Sequence, residues 1–91
     1  MNYQKVDAAL AGALEDVHDP EERVLTVFIH TVYPPDAAEA AFLSTLGVSG
    51  VSGGGQIFTA TLSQRAVAEL SDQSWVRYLA LSRKLRLLNA R

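Results

Sequence analysis

The 91-residue chain has the length of one domain, and 48% hydrophobic residues with 8 Lys+Arg against 10 Asp+Glu are typical of a globular protein. Its formal net charge of −2 disfavours general nucleic-acid binding, and the absence of cysteine excludes disulfides and thiolate chemistry. The first residues lack the pattern of a signal peptide, and the apolar stretch at Val24–Ile29 is too short to cross a bilayer. We therefore expect a cytoplasmic protein without membrane contact.

Charge is unevenly distributed along the chain. Residues 1–39 are rich in acids, whereas residues 73–91 contain no acid and five bases: Arg77, Arg83, Lys84, Arg86 and Arg91. One interpretation is a solvated tail that lies near the acidic N-terminal region, and the other is a tail that meets an acidic partner. We favour the first, because such asymmetry is common in small domains.

The N-terminal third predicts a helix followed by a strand. Apolar residues at helical spacing predict an amphipathic helix over residues 3–17, which Asp19-Pro20 ends. Residues 24–33 are rich in β-branched and aromatic side chains and give the clearest strand, which ends at Pro34-Pro35.

The middle of the chain predicts a second helix and a hairpin. Asp36 and Glu39 resemble a capping box, and Gly47 is placed to close the helix in the left-handed conformation. The expected apolar face of this helix is formed by Ala38, Ala41, Phe42 and Leu46. A weak strand at residues 48–51, a Gly-rich turn and a good strand at residues 56–62 follow.

Ser63 is a candidate cap for a third helix, from which Val67 and Leu70 would face inward. Residues 75–81 alternate well enough for a last strand, although residues 75–88 also suit a helix. The order is one helix followed by βαββαβ, which predicts a ferredoxin-like α+β fold: a four-stranded antiparallel sheet with two helices on one face. We assign residues 1–20 to an N-terminal helix extension, 23–82 to the core and 83–91 to a basic C-terminal tail.

Residues 61–70 (TLSQRAVAEL) and the following WVRY at residues 75–78 resemble the propeptide domain of subtilisin-type serine proteases and related free-standing inhibitors. The resemblance covers about the last third of the chain. It implies a non-catalytic module that acts as a serine protease inhibitor or folding chaperone. In such a module the open face of the sheet docks on the protease, and the tail enters the substrate groove as an extended strand. The implied contacts of the tail are Leu85, Arg86, Leu87, Leu88 and Arg91.

Strand alternation predicts which side chains line the open face of the sheet. The expected set is Phe28, His30, Ile57, Thr59, Arg77 and Leu79. Apolar residues on such a face often mark an interface. Either the N-terminal helix covers this face or a protein partner does, and a homodimer through the face or an edge strand is a third outcome. An adaptor protein that self-associates or joins a larger complex is thus the alternative to an inhibitor.

No residue pattern predicts an enzyme, a cofactor or a metal site. His30 lies in the middle of a strand, where a packed histidine is expected, and the cluster around His18 lacks the spacing of a zinc or calcium motif. The glycines at residues 47–55 precede a strand and have no lysine among them, unlike a phosphate-binding loop.

Overall fold

A computed structural model describes residues 1–48 and 54–84, with the backbone alone for residues 83 and 84. The protein is a small α+β domain, as predicted, and its described residues form one three-stranded antiparallel sheet of order β2-β1-β3. The elements are a 3₁₀ turn (Tyr3–Lys5), α1 (Ala8–Glu15), β1 (Leu25–Thr31), α2 (Ala37–Thr45), β2 (Ile57–Leu62), α3 (Gln64–Ser71) and β3 (Val76–Lys84). The predicted strand at 48–51 lies mostly outside the described residues, as does the predicted tail beyond residue 84.

The sheet separates a buried face from an open one by simple alternation. Along β1, Leu25, Val27, Ile29 and Thr31 are buried, while the residues between them are partly or fully exposed. All three helices contribute to the same hydrophobic core as the buried face of the strands, including Leu14 of α1. The helices therefore form a single layer on one face of the sheet.

The predicted continuous helix over residues 3–17 is wrong, because Val6 and Asp7 have extended backbone. Val6 forms a parallel bridge with Leu79, and the Asp7 N–H donates to the Leu79 carbonyl at 3.0 Å. One Asp7 side-chain oxygen accepts from Leu10 N at 2.8 Å and from Leu81 N at 3.3 Å. Asp7 thus caps α1 and also satisfies an N–H on the outer edge of β3.

These contacts at the edge of β3 direct α1 to the covered side of the sheet. Leu10 and Leu14 are fully or almost fully buried in the common core. The Gln64 side-chain amide donates to the Leu14 carbonyl at 3.0 Å and joins the end of α1 to the start of α3. Of the alternatives for what covers the open face, the N-terminal helix is therefore wrong.

The ends of α2 are as predicted, and its apolar face is so in part, since Phe42 and Leu46 pack against the core. The Asp36–Glu39 capping box is present, and Gly47 has a φ of 92°. The Val48 N–H donates to Leu43 O at 3.1 Å and completes a Schellman motif that pairs two buried apolar residues. Ala38 and Ala41 are exposed, because Leu43 is the residue of α2 that enters the core.

In the last third of the chain the predicted third helix is confirmed, and the segment that follows it forms a strand and not a helix. The Ser63 hydroxyl accepts from Ala66 N at 3.1 Å, and Val67 and Leu70 are completely buried. Residues 76–84 form a strand because each edge of β1 needs hydrogen-bonding partners, and β3 pairs with β1 up to Lys84. Trp75 packs edge-on against Phe42 with ring centroids 5.9 Å apart, just before this strand begins.

Candidate functional site

The open face of the sheet consists of cross-strand rows of side chains. In one row His30 lies between Ile57 of β2 and Tyr78 of β3, and in the next Phe28 lies between Thr59 and Ala80. A third row pairs Thr26 with Thr61, whose hydroxyls are 3.3 Å apart, and places Thr26 opposite Arg83 in the register. We use the term open face for Thr26, Phe28, His30, Ile57, Thr59, Thr61, Tyr78 and Ala80.

Large apolar side chains are exposed on the open face. Ile57 is 61% exposed, and Phe28 and Tyr78 are each 38% exposed. Tyr78 packs edge-on against His30 with ring centroids 5.9 Å apart, so the aromatic and imidazole rings support each other. Three large apolar residues in adjacent positions of one face are unusual for a surface that only contacts water.

The sequence places Phe28, His30, Ile57 and Thr59 correctly on this face, but the predicted exposure of Leu79 there is wrong. Leu79 is fully buried and pairs with Ile29 in the core. The cause is an irregularity in β3: His30 pairs with Tyr78 and Thr31 with Val76, which leaves Arg77 as an extra residue. The extra residue shifts the alternation by one position, so that Tyr78 takes the place predicted for Leu79.

A shallow groove of about 360 Å³ lies at one end of the open face. It is lined by His30, Thr31, Gln56, Ile57, Arg77 and Tyr78. Gln56 is held by donation from its side-chain amide to the Val32 carbonyl at 3.0 Å. Arg77 is exposed, and within residues 1–48 and 54–84 its guanidinium has no ion-pair or hydrogen-bond partner.

The charges of the protein are segregated between the sheet and the other elements. All 10 Asp and Glu residues lie outside β1, β2 and β3, whereas the charged residues within the strands are the bases Arg77, Arg83 and Lys84. By contrast, Arg65 on α3 contacts Glu21 at 3.0 Å and Glu69 at 3.4 Å. The hydrogen bond that Arg65 donates to Glu21, and then the charge of Glu21, raise the pKa of Arg65, and the hydrogen bond to Glu69 and its charge raise it further.

Another polar contact follows β1 directly. The Tyr33 hydroxyl donates to a Glu39 carboxylate oxygen at 2.9 Å, and this bond is the largest cause of the raised pKa of Tyr33. Because Glu39 also belongs to the capping box, the contact fixes the connection from β1 to α2. It lies beyond the strand rows and gives no sign of a reactive centre.

The other candidate sites for catalysis or metal binding are less well formed than the groove on the open face. His18 is exposed and lines a pocket of about 190 Å³ with Val17 and Glu22, which is smaller than usual ligand sites of roughly 300 Å³ or more. Throughout the part of the chain that the structure describes, no group of three or more His, Asp or Glu residues is placed to hold a metal ion. The predicted tail contacts Leu85, Arg86, Leu87, Leu88 and Arg91, and most of the Gly-rich loop, lie outside the described residues.

One residue of the open face, Tyr78, and the contact of Asp7 that orients α1 are not among the sequence predictions. Tyr78 is absent from the predicted open face, because an extra residue in a strand has no clear local signal. The role of Asp7 had a usable signal, since an Asp directly before Ala8-Ala9-Leu10 is a good N-cap and places the start of α1 there.

None of the helices within residues 1–48 and 54–84 has the length and apolar character needed to cross a membrane. Comparison of the chain with protein-family models, with curated proteins and with solved structures gives no match.

Proposed function

We propose that this protein is a non-catalytic protein-binding module that docks a partner on its open face and acts as a serine protease inhibitor or folding chaperone. The observation that carries the proposal is the exposure of Phe28, Ile57 and Tyr78 on one face of the sheet, around His30. None of the three α-helices in the described residues covers them, because all three pack on the other face. A protein partner would remove this apolar surface from water.

The proposed module has a ferredoxin-like sheet. The antiparallel order β2-β1-β3, with one helix before β2 and another before β3, agrees with three of the four strands in that arrangement. The fourth strand of the prediction, at residues 48–51, falls mostly outside the described residues. A sheet of this kind exposes one broad face once its helices are packed on the other.

The second part of the proposal concerns the segment after β3. Leu25 pairs with Lys84, so β3 is extended up to its last described residue. In the proposed complex, the tail at residues 85–91, which lies outside the described residues, binds the substrate groove of the protease as an added strand. Main-chain hydrogen bonds would supply affinity, and Arg91 would enter a pocket lined by an acid.

Protease inhibition by two forms of the chain tests this mechanism. The full chain is expected to inhibit a subtilisin-type serine protease in a peptide-substrate assay, and a form that ends at Lys84 is expected to lose that inhibition. Equal thermal unfolding of the two forms is the control for the fold. Inhibition by the truncated form at full strength would exclude the substrate-like tail, and no inhibition by the full chain would exclude the inhibitor.

Self-association is a second candidate, and it is favoured by an edge of the sheet. β2 pairs with β1 on one side, and its other edge has no strand partner among the described residues. An unpaired edge next to an apolar face can join two copies of a chain. Light scattering of the wild type and of Ile57→Ser tests this candidate: a dimer that the substitution dissociates supports it, and a monomer at high concentration excludes it.

A further inference from the structure

We propose that the open face recognises a partner segment that is both acidic and apolar, with a carboxylate bound by Arg77 in the groove and apolar side chains packed on Ile57 and Phe28. The inference rests on the proposed function, since it names the chemistry of the partner at the same face. It goes further by assigning the groove a charge preference. The tail plays no part in it.

The distribution of charge supports this preference. The protein is acidic overall, with 10 Asp+Glu against 8 Lys+Arg, yet none of these acids lies in a strand. An acidic segment that approaches the sheet therefore meets Arg77 with no carboxylate from a strand competing for it. The net charge of −2 disfavours a nucleic acid as the occupant, because nucleic-acid binding depends on neutralising many phosphates.

The unpaired state of Arg77 supports the same assignment. Arg65 on α3 has two acidic partners, whereas the exposed guanidinium of Arg77 has none within residues 1–48 and 54–84. A guanidinium presents its N–H donors in a planar fork that matches a carboxylate. The same groove is lined by Tyr78, whose hydroxyl is a second donor for an anion.

The rows of the open face set the spacing of the partner's side chains. Arg77, His30 and Ile57 line the groove, and Phe28 lies two residues further along β1. Two residues of a strand span about 7 Å. The acid bound by Arg77 on β3 and the apolar side chain packed on Phe28 of β1 are therefore expected within a few residues of each other in an extended partner segment.

Selection from a library of random 12-residue peptides tests the inference without a known partner. The immobilised full chain is the target, and peptides that also bind Phe28→Ser and Ile57→Ser are removed. The expected result is enrichment of peptides with an Asp or Glu close to a large apolar residue. Peptides that need Phe28 and Ile57 but carry no excess of acid would overturn the inference and leave the binding module in place. An absence of peptides that depend on the face would overturn both.

A charge-specific measurement follows on the most enriched peptide, by fluorescence anisotropy. Arg77→Gln is expected to weaken binding about tenfold, the size of one charge-assisted hydrogen-bonded contact. Arg65→Gln is the matched control, since it removes an exposed arginine on α3, and is expected to leave the affinity unchanged. Replacing the peptide's acid by its amide should weaken binding to the wild type and have little effect on Arg77→Gln. Equal losses for the two arginine variants, or no loss for Arg77→Gln, would refute the assignment.

Discussion

The two faces of the sheet are made by the same strands and differ in what covers them. On one face Val27, Ile29 and Leu79 are completely buried under the helices. On the other, Phe28, Ile57 and Tyr78 keep between about a third and two thirds of their surface in contact with solvent. Alternation explains why there are two faces, but it does not explain why the second face carries large apolar residues. Burial within the chain therefore accounts for only one of the faces.

The position of α1 determines this difference. An amphipathic helix at the N-terminus could have covered the open face, and the chain instead joins Val6 and Asp7 to the edge of β3 and turns α1 to the other side. The covered face therefore receives three helices, and the open face receives none among the described residues. In the proposed complex, the partner covers the apolar side chains of the open face.

The largest expected effect is a difference in stability between two substitutions, one on the buried face and one on the open face. Ile29→Ala should lower the free energy of unfolding by about 3 kcal/mol, because Ile29 is fully buried and the change leaves a cavity. Ile57→Ala should lower it by less than about 1 kcal/mol, because the side chain is mostly exposed. Urea unfolding of both variants measures the contrast.

If Ile29→Ala is too unstable to measure, the pair Ile29→Val and Ile57→Val gives the same comparison, with an expected cost of about 1 kcal/mol for the buried position alone. Similar costs for the two positions would mean that the open face is covered within the free protein. That outcome would contradict the proposed docking surface directly.

A smaller effect is expected from the residue that holds α1 to the sheet. Asp7→Ala should cost about 2 kcal/mol, because it removes both the N-cap of α1 and the acceptor for the Leu81 N–H. Asp7→Asn keeps a side-chain oxygen and should cost less. Ser63→Ala, which removes a cap from α3 only, should cost about 1 kcal/mol.

Amide hydrogen exchange separates the two roles of Asp7. The Leu81 N–H is expected to exchange faster in Asp7→Ala than in the wild type, and nearly normally in Asp7→Asn. If Leu81 exchange is the same in all three proteins, the bond to β3 contributes nothing and Asp7 is only a cap.

Local features of the fold could be predicted from the sequence because their causes are local. The alternation in residues 25–31 and 57–62 is visible in the chain, as are the caps at Asp36 and Ser63 and the role of Gly47. Each depends on residues within a few positions of one another. Phe28, His30, Ile57 and Thr59 follow from this alternation and lie where it places them, and Arg77 is exposed at the end of the same face.

The errors concern features that depend on distant parts of the chain. Asp7 meets Leu81 across 74 residues of sequence, and nothing near Asp7 indicates this contact. Arg77 becomes an extra residue only because β3 pairs with β1, and that shift moves Leu79 into the core and Tyr78 out of it. The choice of side for α1 follows from the same long-range pairing, so the sequence left the cover of the open face undecided.

Two glycines on the helical side allow stability to be changed without touching the open face. Gly47→Ala should cost about 1 kcal/mol, since its φ of 92° strains any L side chain and the new Cβ would lie 3.2 Å from Arg23 Nη1. Gly12→Ala should stabilise the protein by about 0.5 kcal/mol or slightly more, because Gly12 is an exposed interior position of α1 with open space around it. Thermal unfolding gives the sign of both changes, and the affinity of each variant for the selected peptide should equal that of the wild type. Unequal affinities would show that the helical layer influences the open face, because both substitutions lie on elements that contribute only to the covered side.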